Sequence, residues 1–113
     1  MASVTSKYEQ RDNSRRPVLH AGVCAYDKGA VKFGCSIRNI SEKGAYITFA
    51  VGHELPNEVW LIDIPAKCAY RATVKWKRGT GFGLSVWECH QISEIRKPEL
   101  SFLRRIWLDR TKR

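Results

Sequence analysis

From Pro17 onward, apolar and polar residues alternate with the period of two that half-buried β-strands require. Val31, Phe33, Cys35 and Ile37 alternate with Lys32, Gly34, Ser36 and Arg38. Ala45, Ile47 and Phe49 repeat the pattern against Tyr46 and Thr48. Trp60, Ile62 and Ile64 obey it less cleanly, because Val59 and Leu61 are apolar too. Ala72, Val74 and Trp76 alternate with Arg71, Thr73, Lys75 and Lys77, and Phe82, Leu84 and Val86 keep the same rule.

Turn chemistry separates these runs. Asp27-Lys28-Gly29 joins a strand over residues 19–26 to one over residues 30–40. Gly and Pro occur within residues 52–57, Pro65-Ala66-Lys67 comes after the fourth run, and Gly79-Thr80-Gly81 predicts a tight hairpin. The expectation is six short strands in an antiparallel meander, closed by its own twist into a small barrel that leaves no free edge.

After the sixth strand the period changes. Pro98 suits a first helical turn, and Leu100, Phe102, Leu103, Ile106 and Trp107 fall on one broad face of a helix. Ser101, Arg104, Arg105 and Asp109 lie opposite, with Leu108 out of pattern. The simplest prediction is a C-terminal helix that lids the barrel and keeps its cationic face in water. The whole chain then reads as one domain: residues 1–16 a polar, flexible arm, 17–90 the barrel, 91–113 the helix and a basic tail.

A length of 113 residues supports one core and no more. Charge adds direction to that picture. The net charge is +9, and residues 96–113 alone carry seven basic against two acidic side chains. Such a balance favours anionic partners. No apolar run reaches membrane-spanning length, so no membrane insertion is expected. The first sixteen residues contain no apolar segment of the secretory kind, which makes a cytoplasmic location the default expectation.

Catalytic patterns are missing. His20, His53 and His90 are isolated in sequence, and no metalloprotease, nucleophile-elbow or phosphate-loop motif occurs. The chain is therefore not expected to be an enzyme, nor to carry a cofactor. Cys24, Cys35, Cys68 and Cys89 stand 11, 33 and 21 residues apart with no closely spaced pair, as expected for reduced, buried structural thiols rather than a zinc site.

Two polar clusters remain that a barrel does not itself require. Arg11 and Arg15 stand four residues apart just before the first strand, and Arg16 comes next. Their planar donor forks suit phosphate oxygens or the O6 and N7 edge of guanine. The second cluster is Asn39-Ile40-Ser41-Glu42-Lys43-Gly44, where the second strand bends into the third. A spacing of two puts Asn39 and Ser41 on one side of an extended segment, and Gly44 offers a positive φ for the bend. Trp76 admits two readings: it shares a face with Ala72 and Val74, which favours the core, or it stands at the rim and stacks on a base.

Taken together, Arg11-x3-Arg15 and Asn39-x-Ser41-x2-Gly44 resemble the two motifs of the PilZ domain family. The similarity runs on through Val74-Lys75-Trp76-Lys77-Arg78 and Gly81-Phe82-Gly83-Leu84-Ser85-Val86. This resemblance implies an all-β, six-stranded antiparallel barrel and a bacterial second-messenger receptor whose ligand is cyclic di-GMP. Carried over to this chain, it implies cationic contacts from Arg11 and Arg15, polar contacts from Asn39 and Ser41, and a backbone set by Gly44. Position 39 holds Asn where many members hold Asp, and its carbonyl still accepts one guanine hydrogen bond. The expected role is that of a signalling effector or adaptor that relays ligand occupancy to an unidentified protein partner. The alternatives are a basic barrel that binds RNA or single-stranded DNA, with nucleic acid the lesser expectation, and a ligand-blind interaction module.

Overall fold

The computed structural model describes residues 16–112, the side chain of Arg16 excepted. Six strands form one closed antiparallel barrel: β1 (Arg16–Tyr26), β2 (Val31–Ile40), β3 (Gly44–Thr48), β4 (Glu58–Asp63), β5 (Cys68–Arg78) and β6 (Gly81–Gln91). The helix α1 (Ser101–Thr111) ends the described chain. The all-β expectation is met, and strand boundaries agree with the alternation to within a few residues.

The order around the barrel is β1-β2-β3-β6-β5-β4, which is not a meander. β3 pairs with β6, and β4 closes the barrel against β1. Residues 49–57 therefore cross from one side of the barrel to the other instead of making a hairpin. The crossing is fastened to neighbouring strands: Phe49 N–H donates to the Thr80 carbonyl at 3.0 Å, and Val74 N–H donates to the Asn57 carbonyl at 2.7 Å. Phe49 itself enters the core.

Hydrophobic side chains divide into two clusters on opposite sides of the barrel wall. Cys24, Ile37, Ile47, Leu61, Phe82 and Leu84 fill the interior. Val23, Ala25, Trp60, Ile62 and Ala69 point outward and are covered by Phe102, Leu103 and Ile106 of α1. The helix thus lies against the side wall formed by β1, β4 and the start of β5, and does not lid the barrel. This explains the unbroken apolar run in β4. Val59 and Leu61 face the interior while Trp60 and Ile62 face the helix, so both surfaces of the strand are dry.

Polar bonds pin the helix in place. Trp107 Nε1 donates to the Ile64 carbonyl at 3.0 Å. Arg104 donates to the carbonyls of Ile92 and Ile95 at 3.1 and 2.7 Å, so its guanidinium is part of the joint rather than of a free cationic face. At one end of the barrel the buried carboxylate of Asp63, 1% exposed, holds His20 Nδ1 and the Ala66 N–H.

Of the four thiols, Cys24 and Cys68 are buried and Cys35 half-buried, but Cys89 is exposed, against expectation. Burial pushes the Cys24 thiol from 9.0 up to about 12 and raises Cys35 as well. A thiol held neutral by the fold stabilises it fully below its unfolded value, and that stability is lost as pH climbs toward the folded one. Unfolding free energy should therefore fall between pH 9 and pH 10.5, by about 1.4 kcal/mol per pH unit for each such thiol once the unfolded form is ionised. Urea unfolding across that range tests it. A Cys24→Ala variant with the same slope as the parent would refute the assignment.

Candidate functional site

Two β-bulges build an outer surface that runs into the second motif. In β2 the register shifts between Ile37 and Asn39, and in β5 between Val74 and Trp76. A bulge places one extra residue in its strand and reverses the phase of the residues beyond it. Ile37 is buried inside the barrel, whereas Asn39 pairs with Tyr46, whose neighbours Ala45 and Ile47 both point inward. Val74 packs on the interior cluster, whereas Trp76 pairs with Gly83 and is 45% exposed. The core reading of Trp76 is thus corrected. Its shared phase with Ala72 and Val74 ends at the bulge.

Register now lines up Pro17, Asn39, Tyr46, Gly83 and Trp76 across five strands on one outer surface. Tyr46 and Trp76 stack with ring centroids 5.6 Å apart and planes 29° from parallel. Both rings lie flat on β6 because glycines face them. A Cβ at Gly83 would clash with the Trp76 ring, and one at Gly81 would meet the Tyr46 hydroxyl at 2.5 Å. The Gly81-Phe82-Gly83-Leu84 alternation therefore has two purposes: Phe82 and Leu84 fill the core, and the glycines seat an aromatic platform. Tyr46 is the member of this candidate surface that sequence reading missed. The signal was the pair of outward glycines, which lack side chains where a strand would otherwise show them.

The second motif forms the turn at the end of β2. Ser41 N–H donates to the Gly44 carbonyl at 2.8 Å. The Ser41 hydroxyl accepts from the N–H groups of Lys43 and Gly44, at 3.2 Å each. Ser41 thus holds the turn itself, in the manner of a side-chain mimic of a backbone bend. Gly44 is buried, pairs with Ser85 and opens β3. It does not adopt the positive φ expected of it. Among the described glycines only Gly29 and Gly79 do. The serine hydroxyl secures the bend that the glycine was expected to make. Replacing Ser41 by Ala should therefore cost about 1 kcal/mol of stability, read as a lower urea midpoint. An unchanged midpoint would show that the turn stands without the hydroxyl.

A cleft of about 270 Å³ opens beside this turn, lined by Ile40, Ser41, Glu42, Tyr70, Val86 and Cys89. Although Cys89 is exposed, partial desolvation of its sulfur, with the neighbouring Cys68 thiol, pushes it up to about 11, so it is a weak nucleophile. Among the described residues no group of three His, Cys, Asp or Glu side chains is placed to hold a metal ion. Within the same residues, no helix is long and apolar enough to cross a membrane.

The structure therefore brings Asn39 and Trp76 onto one outer surface and sets Ser41 and Gly44 in the adjoining turn. Arg16 opens β1, its backbone paired with Ile40, which precedes Ser41. Arg11 and Arg15 lie outside the described residues. Exposed cations near the platform are Arg38, within 3.2 Å of Thr48, and Lys75 and Arg78 toward the β5–β6 hairpin.

No family model matches the sequence, and no curated protein matches it either. The fold, by contrast, has solved counterparts. One is the crystal structure of the PilZ domain of CeSA from a cellulose-synthesizing bacterium, which superposes with a TM-score of 0.52 at 12% identity. The match covers 85% of this chain and 96% of that one. At that identity the similarity speaks for architecture alone, and on that ground this six-stranded barrel with its C-terminal helix has the PilZ-like fold.

Proposed function

We propose that the protein is a cyclic di-GMP-binding effector or adaptor and not an enzyme. One observation carries the reading. On a PilZ-like barrel, Asn39 is brought into line with a stacked Tyr46–Trp76 platform, two residues before Ser41 and opposite Pro17, the second residue of β1. Arg15 stands two residues before Pro17 in the chain. The ligand has two guanines and two phosphates. Asn39 offers a carbonyl to a guanine edge, the aromatic pair a stacking surface, and Arg11, Arg15 and Arg16 forks for phosphate or for O6 and N7. Ser41 contributes by fixing the turn, its hydroxyl accepting from the Lys43 and Gly44 N–H groups. Occupancy would then be read by a protein partner.

Calorimetric titration of the full chain with cyclic di-GMP tests this, with GTP and cyclic di-AMP as controls. Saturable heat with cyclic di-GMP alone is the expected result, and no heat would end the proposal. The aromatic pair of exposed Trp76 and half-buried Tyr46, with Lys75 and Arg78 nearby in the sequence, also favours a second reading, binding of single-stranded nucleic acid. Its mark would be a steep dependence on salt.

A further inference from the structure

A second cleft, larger than the one beside the Ser41 turn, lies away from the proposed nucleotide surface. It measures about 440 Å³ and opens where the 27–29 turn and residues 99–102 meet the outer wall of β4 and β5. Its walls are apolar and aromatic, from Tyr26, Trp60, Leu100 and Phe102, with Trp60 and Phe102 meeting edge to face at 6.4 Å. Its rim carries Asp27, Glu58 and Glu99, three of only eleven carboxylates in a chain with twenty Lys and Arg. Glu58 is paired with Arg71 at 3.4 Å. Asp27 and Glu99 have no ion-pair partner among the described residues. Lys28 is the other cation at the rim.

We propose that this cleft is a docking site for a protein partner that inserts an arginine side chain. Charge complementarity selects the occupant. An acidic or neutral segment would leave Asp27 and Glu99 uncompensated beside a hydrophobic wall. A guanidinium would stack on the aromatic surface and present its donor fork to the carboxylates. The molecule already makes this arrangement once at the same place. Arg71 lies between the rings of Trp60 and Trp87, 5.3 Å from each, while bonded to Glu58. Trp87 is half exposed, with its indole N–H fixed on Thr73 at 3.1 Å, and so extends the docking surface beyond the cleft. The site stands whether or not the barrel binds a nucleotide, since none of these residues belongs to the Asn39–Trp76 surface.

The net charge of +9 makes the test selective, because a cationic peptide is repelled by most of this protein. The full chain, labelled with ¹⁵N, would be titrated with an acetylated Gly-Arg-Gly-Arg-Gly peptide, its citrulline analogue and a Gly-Glu-Gly-Glu-Gly peptide. Saturable shifts of the Trp60 indole and of residues 27–29 and 99–102 with the arginine peptide alone are expected. Binding should weaken at least tenfold in a double variant, Asp27→Asn with Glu99→Gln. Both positions are exposed, and Asn tolerates the φ of +57° at position 27, so the variant keeps its fold. No shifts, equal shifts with citrulline, shifts confined to other surfaces, or a preference for the glutamate peptide would each overturn the proposal.

Discussion

A Leu103→Ala variant is expected to lose about 2–5 kcal/mol of stability, the usual cost of removing a fully buried leucine whose site collapses incompletely. Leu103 is 0% exposed and belongs to the cluster that α1 makes with Val23, Ile62 and Ala69 on the outside of the wall. Domains of this size are stable by only about 5–15 kcal/mol in total, so the loss should be conspicuous. The reason for so large an effect is structural. Without α1, β1, β4 and the start of β5 would expose Ala25, Trp60 and Ile62 together, and the wall would present an apolar strip to water. Helix and barrel should therefore unfold in one transition in urea, with the midpoint lowered and the slope unchanged. A loss below about 0.5 kcal/mol, typical of a surface substitution, would mean that α1 is an appendage and that the outer cluster is loosely held.

How the helix is used is only half legible in the sequence. Its period shows which residues are buried, and Phe102, Leu103 and Ile106 are indeed the ones that are. Period alone does not say what buries them, and a lid and a buttress demand the same amphipathic stripe. The missing clue lay in β4, where Val59-Trp60-Leu61-Ile62 breaks alternation because both faces need apolar residues. Strand order was equally hidden. Gly and Pro within residues 52–57 announce a reversal of direction, but turn residues carry no information about which strand becomes the neighbour. The pairing of β3 with β6 is a long-range choice made by the whole barrel.

The site shows the same division. Motif spacing located Asn39, Ser41 and Gly44, because they lie within six residues of each other. It could not assign their roles. Whether a serine hydroxyl meets a ligand or two backbone N–H groups depends on a turn geometry that several sequences share. Trp76 was ambiguous for a sharper reason. Period-two reasoning assumes an unbroken ladder, and the one-residue bulge after Val74 inverts its conclusion for the rest of the strand. The glycines of β6 hint at an aromatic cover, but cross-strand register is what assigns it to Tyr46, which meets Trp76 across β6 from thirty positions away in the chain.

Arg15→Ala should weaken cyclic di-GMP binding by about 1.5–3 kcal/mol, the range for hydrogen bonds to a charged group, or roughly 10- to 150-fold. Arg15 stands one residue before β1, and Arg16 then enters the ladder opposite Ile40, just ahead of the Ser41 turn. Position 15 is chosen over position 11 because it is the one next to β1 in the chain. The unliganded melting temperature should change little, because among the described residues neither hydrophobic cluster draws on any residue before Val18. Salt then separates the nucleotide from a polymer. A ligand with two phosphates has no condensed counterion atmosphere and is held partly by guanine edges and stacking, so the logarithm of its affinity should fall no more steeply than about −2 against the logarithm of salt. Single-stranded nucleic acid bound through the basic C-terminal segment would lose about 0.7 of a log unit per phosphate contacted for each tenfold rise. Neutralising exposed cations of that segment, Arg105→Gln with Lys112→Gln, should weaken nucleic-acid binding and leave cyclic di-GMP affinity unchanged. These substitutions keep the full length of α1, which runs to Thr111. Equal affinity of Arg15→Ala and parent for cyclic di-GMP would remove the arginine motif from the site. Tight RNA binding at physiological salt, with no heat from cyclic di-GMP, would make the barrel a nucleic-acid module that shares only its architecture with the second-messenger receptors.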